Sequence, residues 1–177
     1  MDFGTLDGRA ILVGVKTGKE IVGASYTYPD GVIEDILPNT KTKLPPYYAL
    51  QNPVDYLDVL KRAISELLKK SRVYPENIIG IGVDFTSCTI LPIDKQGIPL
   101  CMKEKWKDNP HAWVKLWKHH AAEPYANKLR EIALKRKEKF ILRYGGKISS
   151  EWMFPKIWQS IEETLRSIRF LEKNSIQ

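Results

Sequence analysis

Ile78-Ile79-Gly80-Ile81-Gly82-Val83-Asp84-Phe85-Thr86-Ser87 is the stretch that decides the fold. It is an unbroken apolar, β-branched run, too short for an ordinary helix and closed by an acidic and hydroxyl cluster, which predicts a buried parallel strand. Asp84, Thr86 and Ser87 then sit at its carboxyl end, where ligands bind in open α/β sheets. The chain opens on an echo of it, Met1-Asp2-Phe3-Gly4-Thr5 against Val83-Asp84-Phe85-Thr86-Ser87. Two strand ends that each deliver Asp-Phe-small-hydroxyl predict one sheet whose two strands face a shared cleft. The second copy has its strand in front of it, and the first has only a methionine.

On either side of this stretch the chain reads as an α/β domain. Ala10 to Val15 and Glu20 to Tyr28, joined by Lys16-Thr17-Gly18-Lys19, predict a β-hairpin over residues 9 to 28. Gly4 and Gly8 suit backbone amides that approach a phosphate, and Thr5 sets a hydroxyl beside Asp2, although a turn before a hairpin is the plainer reading of this segment. Residues 32 to 52, with Pro38, Pro45 and Pro46, read as an ordered loop. Asn52-Pro53 is a helix start, and Leu57, Val59, Leu60, Ile64, Leu67 and Leu68 give Val54 to Ser71 an apolar face. That helix supplies the crossover into Ile78 to Asp84.

Beyond the central strand, Thr89 to Ile93 and Ile98 to Cys101, around Asp94-Lys95-Gln96-Gly97, predict a second hairpin. Trp106, His111, Trp113, Trp117, His119 and His120 then fall close together. Trp113 and Trp117, four apart, would share a helix face and read as core, yet tryptophan also stacks on the apolar face of a sugar. His119 and His120, adjacent on a helix, diverge by about 100° and make a poor pair of metal ligands. Ala121 to Lys139 reads as a basic helix with a break at Pro124. After Arg143-Tyr144-Gly145-Gly146-Lys147-Ile148, Ser149 or Ser150 can cap a last helix whose apolar residues are Trp152, Phe154, Ile157, Trp158 and Ile161. Arg169-Phe170-Leu171-Glu172 reads as the beginning of another strand, followed by a polar tail. No second domain is evident within these residues.

With 28 basic and 21 acidic residues the net charge is +7. Lys128, Arg130, Lys135, Arg136, Lys137 and Lys139 carry much of the excess on one helix, and no aromatic interleaving or nucleic-acid motif accompanies them, so a solvated helix face is the stronger reading. An anionic small substrate such as a nucleotide also fits the sign. Cys88 and Cys101 are too few for a disulfide framework. No apolar run is long enough to span a bilayer and no secretory pattern opens the chain. The expectation is a cytoplasmic protein with no nucleic-acid or membrane partner.

Four segments carry a resemblance: Asp2-Phe3-Gly4-Thr5 with Gly8-Arg9-Ala10, Gly80 to Thr89, the run Asn109 to Ala122, and Arg143 to Met153. On these the chain resembles the amino-terminal part of ribulokinases in the FGGY carbohydrate kinase family, and the third and fourth segments are the most specific. The resemblance implies a ribonuclease H-like, actin-like ATPase domain. It implies transfer of the γ-phosphoryl group of ATP, with Mg2+, to the terminal hydroxyl of a ketopentose, L-ribulose giving L-ribulose 5-phosphate in L-arabinose catabolism, with a related ketopentose or polyol as the alternative substrate. Asp2, Gly4 and Thr5 match the first phosphate loop, Asp2 near the metal, with Arg9 helping to hold that loop. Ser87 and Trp117 match positions lining the sugar pocket, Trp117 as its stacking wall, and Lys147, Ser150 and Glu151 are further pocket candidates.

Set against that family, residues 1–177 are expected to form a partial amino-terminal domain, the sugar-binding lobe. The first strand is expected to be missing before Asp2, and the general-base aspartate and the carboxyl-terminal ATP-binding lobe are expected beyond Gln177. The polypeptide alone is then expected to be inactive. The competing expectation is a non-catalytic sugar-binding remnant of a carbohydrate kinase.

Overall fold

A computed structural model describes the backbone of residues 1–174 and side chains as far as Leu165. The polar tail expected at the end lies largely outside the described residues. The described chain divides into two compact units, one of Met1–Val32 with Asn52–Ser87 and one of Ile33–Gln51 with the chain from Cys88 onward.

In the first unit a sheet of order β3-β2-β1-β5 is built from β1 (Asp2–Phe3), β2 (Asp7–Val13), β3 (Glu20–Thr27) and β5 (Asp84–Phe85). The predicted hairpin is β2 and β3, antiparallel from Asp7↔Thr27 to Val13↔Glu20. The sequence echo is realised as a parallel pair, with Asp2 opposite Asp84 and Phe3 opposite Phe85. Helix α1 (Pro53–Ser71) starts as expected: the Asn52 side chain accepts from the Val54 N–H, and Pro53 occupies the first turn. It covers β2 and β3 with Val59, Ala63 and Leu67 buried, whereas Leu57 is exposed.

The expected central strand needs correction. Only Asp84–Phe85 is strand, and Ile79, Ile81 and Val83 are 78%, 64% and 57% exposed. The physical reason is the length of the partner: the last bonds toward residues 82 to 84 are from the Met1 ammonium to Gly82 O (3.0 Å) and from Asp84 N–H to Met1 O (2.8 Å). A strand holds its extended form through a ladder, and this ladder reaches no further.

The second unit contains β4 (Leu50–Gln51) antiparallel to β6 (Val114–Lys115), helix α2 (Glu123–Lys135), the single-turn α3 (Phe140–Arg143) and α4 (Met153–Asn174). Leu37, Leu50, Ala112 and Trp113 share one core cluster. The expected second hairpin is reduced to an Ile93↔Pro99 bridge around Asp94, whose carboxylate accepts the Gln96 and Ile98 N–H groups.

Three further expectations fail here. The tryptophan-rich run is no α-helix and holds only short 3-10 turns at Pro110–Ala112 and His120–Ala122: its amides at Leu116, His120 and Ala121 donate to the carbonyls of Ala49, Tyr47 and Tyr47, so a partner segment replaces α-helical pairing. Pro124 begins α2 rather than breaking it, because the first helical turn needs no N–H there. Arg169 to Glu172 continue α4 rather than start a strand.

Candidate functional site

The strand ends of the first unit bring the acidic residues together. Asp2 and Asp84 occupy opposite positions of the parallel pair, and both are exposed. Ser87 follows β5 and is exposed too. The turn from β1 to β2 closes through Gly4 N–H on Asp7 O (2.9 Å), and a side chain on Gly4 would meet that carbonyl at 3.0 Å. Arg9 donates through Nε to Asp7 Oδ1 at 2.9 Å, and this carboxylate raises the guanidinium pKa. Arg9 therefore braces the loop of Asp2, Gly4 and Thr5 through Asp7. Phe3 anchors the same loop by an edge contact with Tyr56 of α1, ring centroids 5.8 Å apart. Gly8 has a packing role: a Cβ there would lie 2.4 Å from Val59 Cγ1, so it lets α1 approach the sheet.

The second unit brings Ser150 and Glu151 together with His120. His120 Nδ1 lies 3.4 Å from Ser150 Oγ, and its Nε2 lies 3.7 Å from Glu151 Oε1. Ser150 is buried and Glu151 half-buried, while Lys147 is exposed. Trp117 keeps 39% of its surface exposed, whereas Trp113 is buried and donates from its indole to Lys107 O at 2.9 Å. The two tryptophans thus separate into one wall candidate and one core residue. His120, absent from the expected set, carried no sequence signal beyond its position near Trp117.

Beneath these residues lies a buried polar system that hydrophobic patterning does not reveal. Lys156 on α4, fully buried, donates to Cys88 O (2.9 Å), Leu116 O (2.7 Å) and Trp117 O (3.3 Å). It fastens the residue that follows Ser87 to the backbone of Trp117. Burial lowers its pKa to about 8, an effect that the nearby Cys88 and Glu151 partly oppose.

Next to it, Lys115 donates to His111 Nδ1 (2.9 Å) and Gln159 Oε1 (2.8 Å). His111 Nε2 lies 3.0 Å from Glu163. Ala49 N–H donates to His119 Nδ1 at 3.3 Å, which leaves His119 Nε2–H to donate to Gln159 Oε1 at 2.9 Å. Lys156, Gln159 and Glu163 recur at helical spacing, so a polar stripe of α4 faces inward. The apolar residues expected to bury this helix lie partly outside, Phe154 at 66% and Ile161 at 56% exposure.

Among the described residues no group of three or more His, Cys, Asp or Glu side chains could by itself hold a metal ion, and no helix is long and apolar enough to cross a membrane.

Comparison with known proteins places this geometry among relatives. No family model matches the chain. The ribulokinase of Geobacillus thermodenitrificans is 55% identical over 163 residues, covering 92% of this chain and 29% of that protein. The ribulokinase of Halalkalibacterium halodurans is 51% identical over 176 residues, 97% of this chain and 31% of that protein. The chain thus spans about 30% of the length of these curated relatives. Among solved structures, a xylulose kinase from Brucella ovis superposes with a TM-score of 0.65 at 18% identity, covering 92% of this chain and 29% of that one. A gluconate kinase from Lactobacillus acidophilus gives 0.51 at 17% identity, covering 77% of this chain and 22% of that one. The fold is that of the sugar kinases.

Proposed function

We propose, for a chain that is similar along nearly its whole length to the amino-terminal part of the ribulokinases, that it forms the sugar-side part of an ATP-dependent kinase converting L-ribulose to L-ribulose 5-phosphate. The observation that supports this most is the Lys156 clip, which fixes the backbone after Ser87 and at Trp117, two residues that match sugar-pocket positions. In this reading Trp117 stacks on the sugar, and Ser150 and Glu151, steadied by His120, take hydroxyls. Lys147 stands at the solvent side.

At the strand ends, Asp2 with Gly4 and Thr5 receives the phosphate end of the nucleotide, and Arg9 keeps that loop in place. The parallel register of Asp2 and Asp84 puts two carboxylates at one strand end, a donor set that suits a hydrated Mg2+, which binds through one or two carboxylates and keeps several waters. Mg2+ on ATP supplies charge neutralisation during phosphoryl transfer. The chain's own residues hold and orient. Because this chain spans about 30% of the length of those relatives, the proposal assigns the rest of the machinery to the parts of them that this sequence does not match, and expects no turnover from the 177 residues by themselves.

The test takes the 177-residue chain with MgATP and L-ribulose, and follows ADP release and tryptophan fluorescence. No ADP above a no-enzyme control, together with saturable quenching lost in Trp117→Ala, is expected. Sugar-dependent ADP release by the chain alone would contradict the division of labour, and quenching unchanged in the variant would contradict Trp117 as the wall.

A further inference from the structure

Trp117 stands at the corner of a turn, and one side chain of α4 holds both ends of that turn. The turn closes through His119 N–H on Leu116 O (3.0 Å), with Trp117 and Lys118 between them. It lies between β6, which ends at Lys115, and the 3-10 turn that begins at His120. Trp117 keeps 39% of its surface exposed, so the direction of its ring depends on the backbone beneath it.

Gln159 Oε1 accepts from Lys115 Nζ at 2.8 Å and from His119 Nε2 at 2.9 Å. Lys115 leads into the turn and His119 closes it, so a single oxygen ties entry to exit. The other half of the carboxamide donates to Ala121 O (3.3 Å) and to the Tyr48 hydroxyl (3.4 Å). With two donors facing Oε1 and two acceptors facing Nε2, the amide has one orientation. Lys115, His119 and Gln159 are all buried, so solvent does not replace a lost partner. Lys156, three residues earlier on the same face of α4, takes the carbonyls of Leu116 and Trp117. Lys156 thus holds the turn's own carbonyls, and Gln159 holds its two ends.

We propose that Gln159 is a positioning residue for sugar binding: without touching the sugar, it fixes the aim of Trp117 by tying Lys115 to His119 across the turn. The inference rests on the reading of Trp117 as the stacking wall and adds what keeps that wall in place. A wall preset in this way meets the sugar without first ordering its loop, and the affinity gains by the ordering cost avoided.

The experiment labels the 177-residue chain with 5-fluorotryptophan, reads its five fluorine resonances and measures L-ribulose binding by equilibrium dialysis. Trp117→Ala assigns the Trp117 resonance. Gln159→Asn withdraws the amide by one carbon, whereas Gln159→Glu keeps an acceptor oxygen at full reach. Gln159→Asn is expected to displace the Trp117 resonance, to leave that of Trp106 in place and to weaken binding at least tenfold. Gln159→Glu is expected to stay within threefold of the unaltered chain. Adding Gln159→Asn to Trp117→Ala is expected to weaken binding no further, since the one acts through the other. An unmoved Trp117 resonance, Gln159→Glu as weak as Gln159→Asn, or losses that add in the double variant each overturn the proposal. A role in folding alone would disturb all five resonances and leave the affinity of the folded fraction unchanged, and that result overturns it too. Where the shortened side chain does not fold, Gln159→Glu decides by itself, a displaced Trp117 resonance or a tenfold loss of binding being the contrary result. Failure of the wall reading shows separately, as Trp117→Ala binding L-ribulose as tightly as the unaltered chain, and it overturns the proposal with it.

Discussion

A methyl group on Gly8 would stand 2.4 Å from Val59 Cγ1, closer than real contacts allow. Gly8→Ala is expected to cost about 1–3 kcal/mol in urea unfolding, the range for overpacking a filled core, and Val59→Ala in the same chain is expected to return part of it. Additive losses would show that the two sites do not touch. Lys156 makes a different case. Replacing it by Met keeps the volume but removes the charged donor shared by the carbonyls of Cys88, Leu116 and Trp117, and a hydrogen bond from a charged group contributes about 1.5–3 kcal/mol. Lys156→Met is expected to lose at least about 2 kcal/mol and to shift the fluorescence of Trp117. An unchanged midpoint would mean the clip contributes nothing. Neither role is legible in the sequence: a glycine before a hairpin reads as a turn, and a lysine on an amphipathic helix reads as solvated.

At the scale of elements, α1 was the most legible, because Asn52 and Pro53 signal a start by local chemistry that tertiary contacts do not override. The tryptophan-rich run was the least. Its helical spacing is real, but amides that bond to Tyr47 and Ala49 cannot also close helical turns. Helix α4 departs in part from its expected faces because Lys156, Gln159 and Glu163 find partners inside, and a satisfied buried polar group is tolerated where an unsatisfied one is not.

That stripe carries a pH dependence. Burial, with the charge of Lys115, pushes His119 down from 6.5 to about 3, so the unfolded chain binds a proton the folded chain refuses, and stability falls as pH drops through that window. Burial pushes Glu163 up, but the hydrogen bond and charge of His111, with Tyr125 and Lys115, outweigh it and hold the carboxyl near 2 rather than 4.5. Its contribution is present above pH 4.5 and is lost on the way to 2. Burial lowers Lys115 from 10.5 to about 7, so stability rises between those values as the unfolded chain alone keeps its proton. Unfolding free energy is expected to climb from pH 3 to pH 10, with His119→Gln flattening the acid limb and Lys115→Met the alkaline one. A profile that falls above pH 7 would contradict the burial of Lys115.

At the scale of the molecule, the echo between Asp2-Phe3 and Asp84-Phe85 was enough to place two strands side by side in register, since the same short motif ends both. What it did not reveal is that Ile79 to Val83 lie exposed, because strand propensity does not show how far a partner reaches. Likewise the charge excess could not distinguish a binding face from a solvated one. On α2, Arg130 donates to Gly146 O and Lys128 lies over the ring of Trp158, so part of that excess serves packing within its own unit.

The sugar-side assignment is tested most directly by grafting. In a chimera this chain replaces the matching 163 residues of the Geobacillus thermodenitrificans ribulokinase, and ADP formation is followed with MgATP and L-ribulose. Sugar-dependent ADP formation, with a KM for L-ribulose raised at least tenfold by Trp117→Ala, is the expected result. A folded chimera that binds ATP yet forms no ADP with L-ribulose, or one indifferent to Trp117→Ala, would contradict the account.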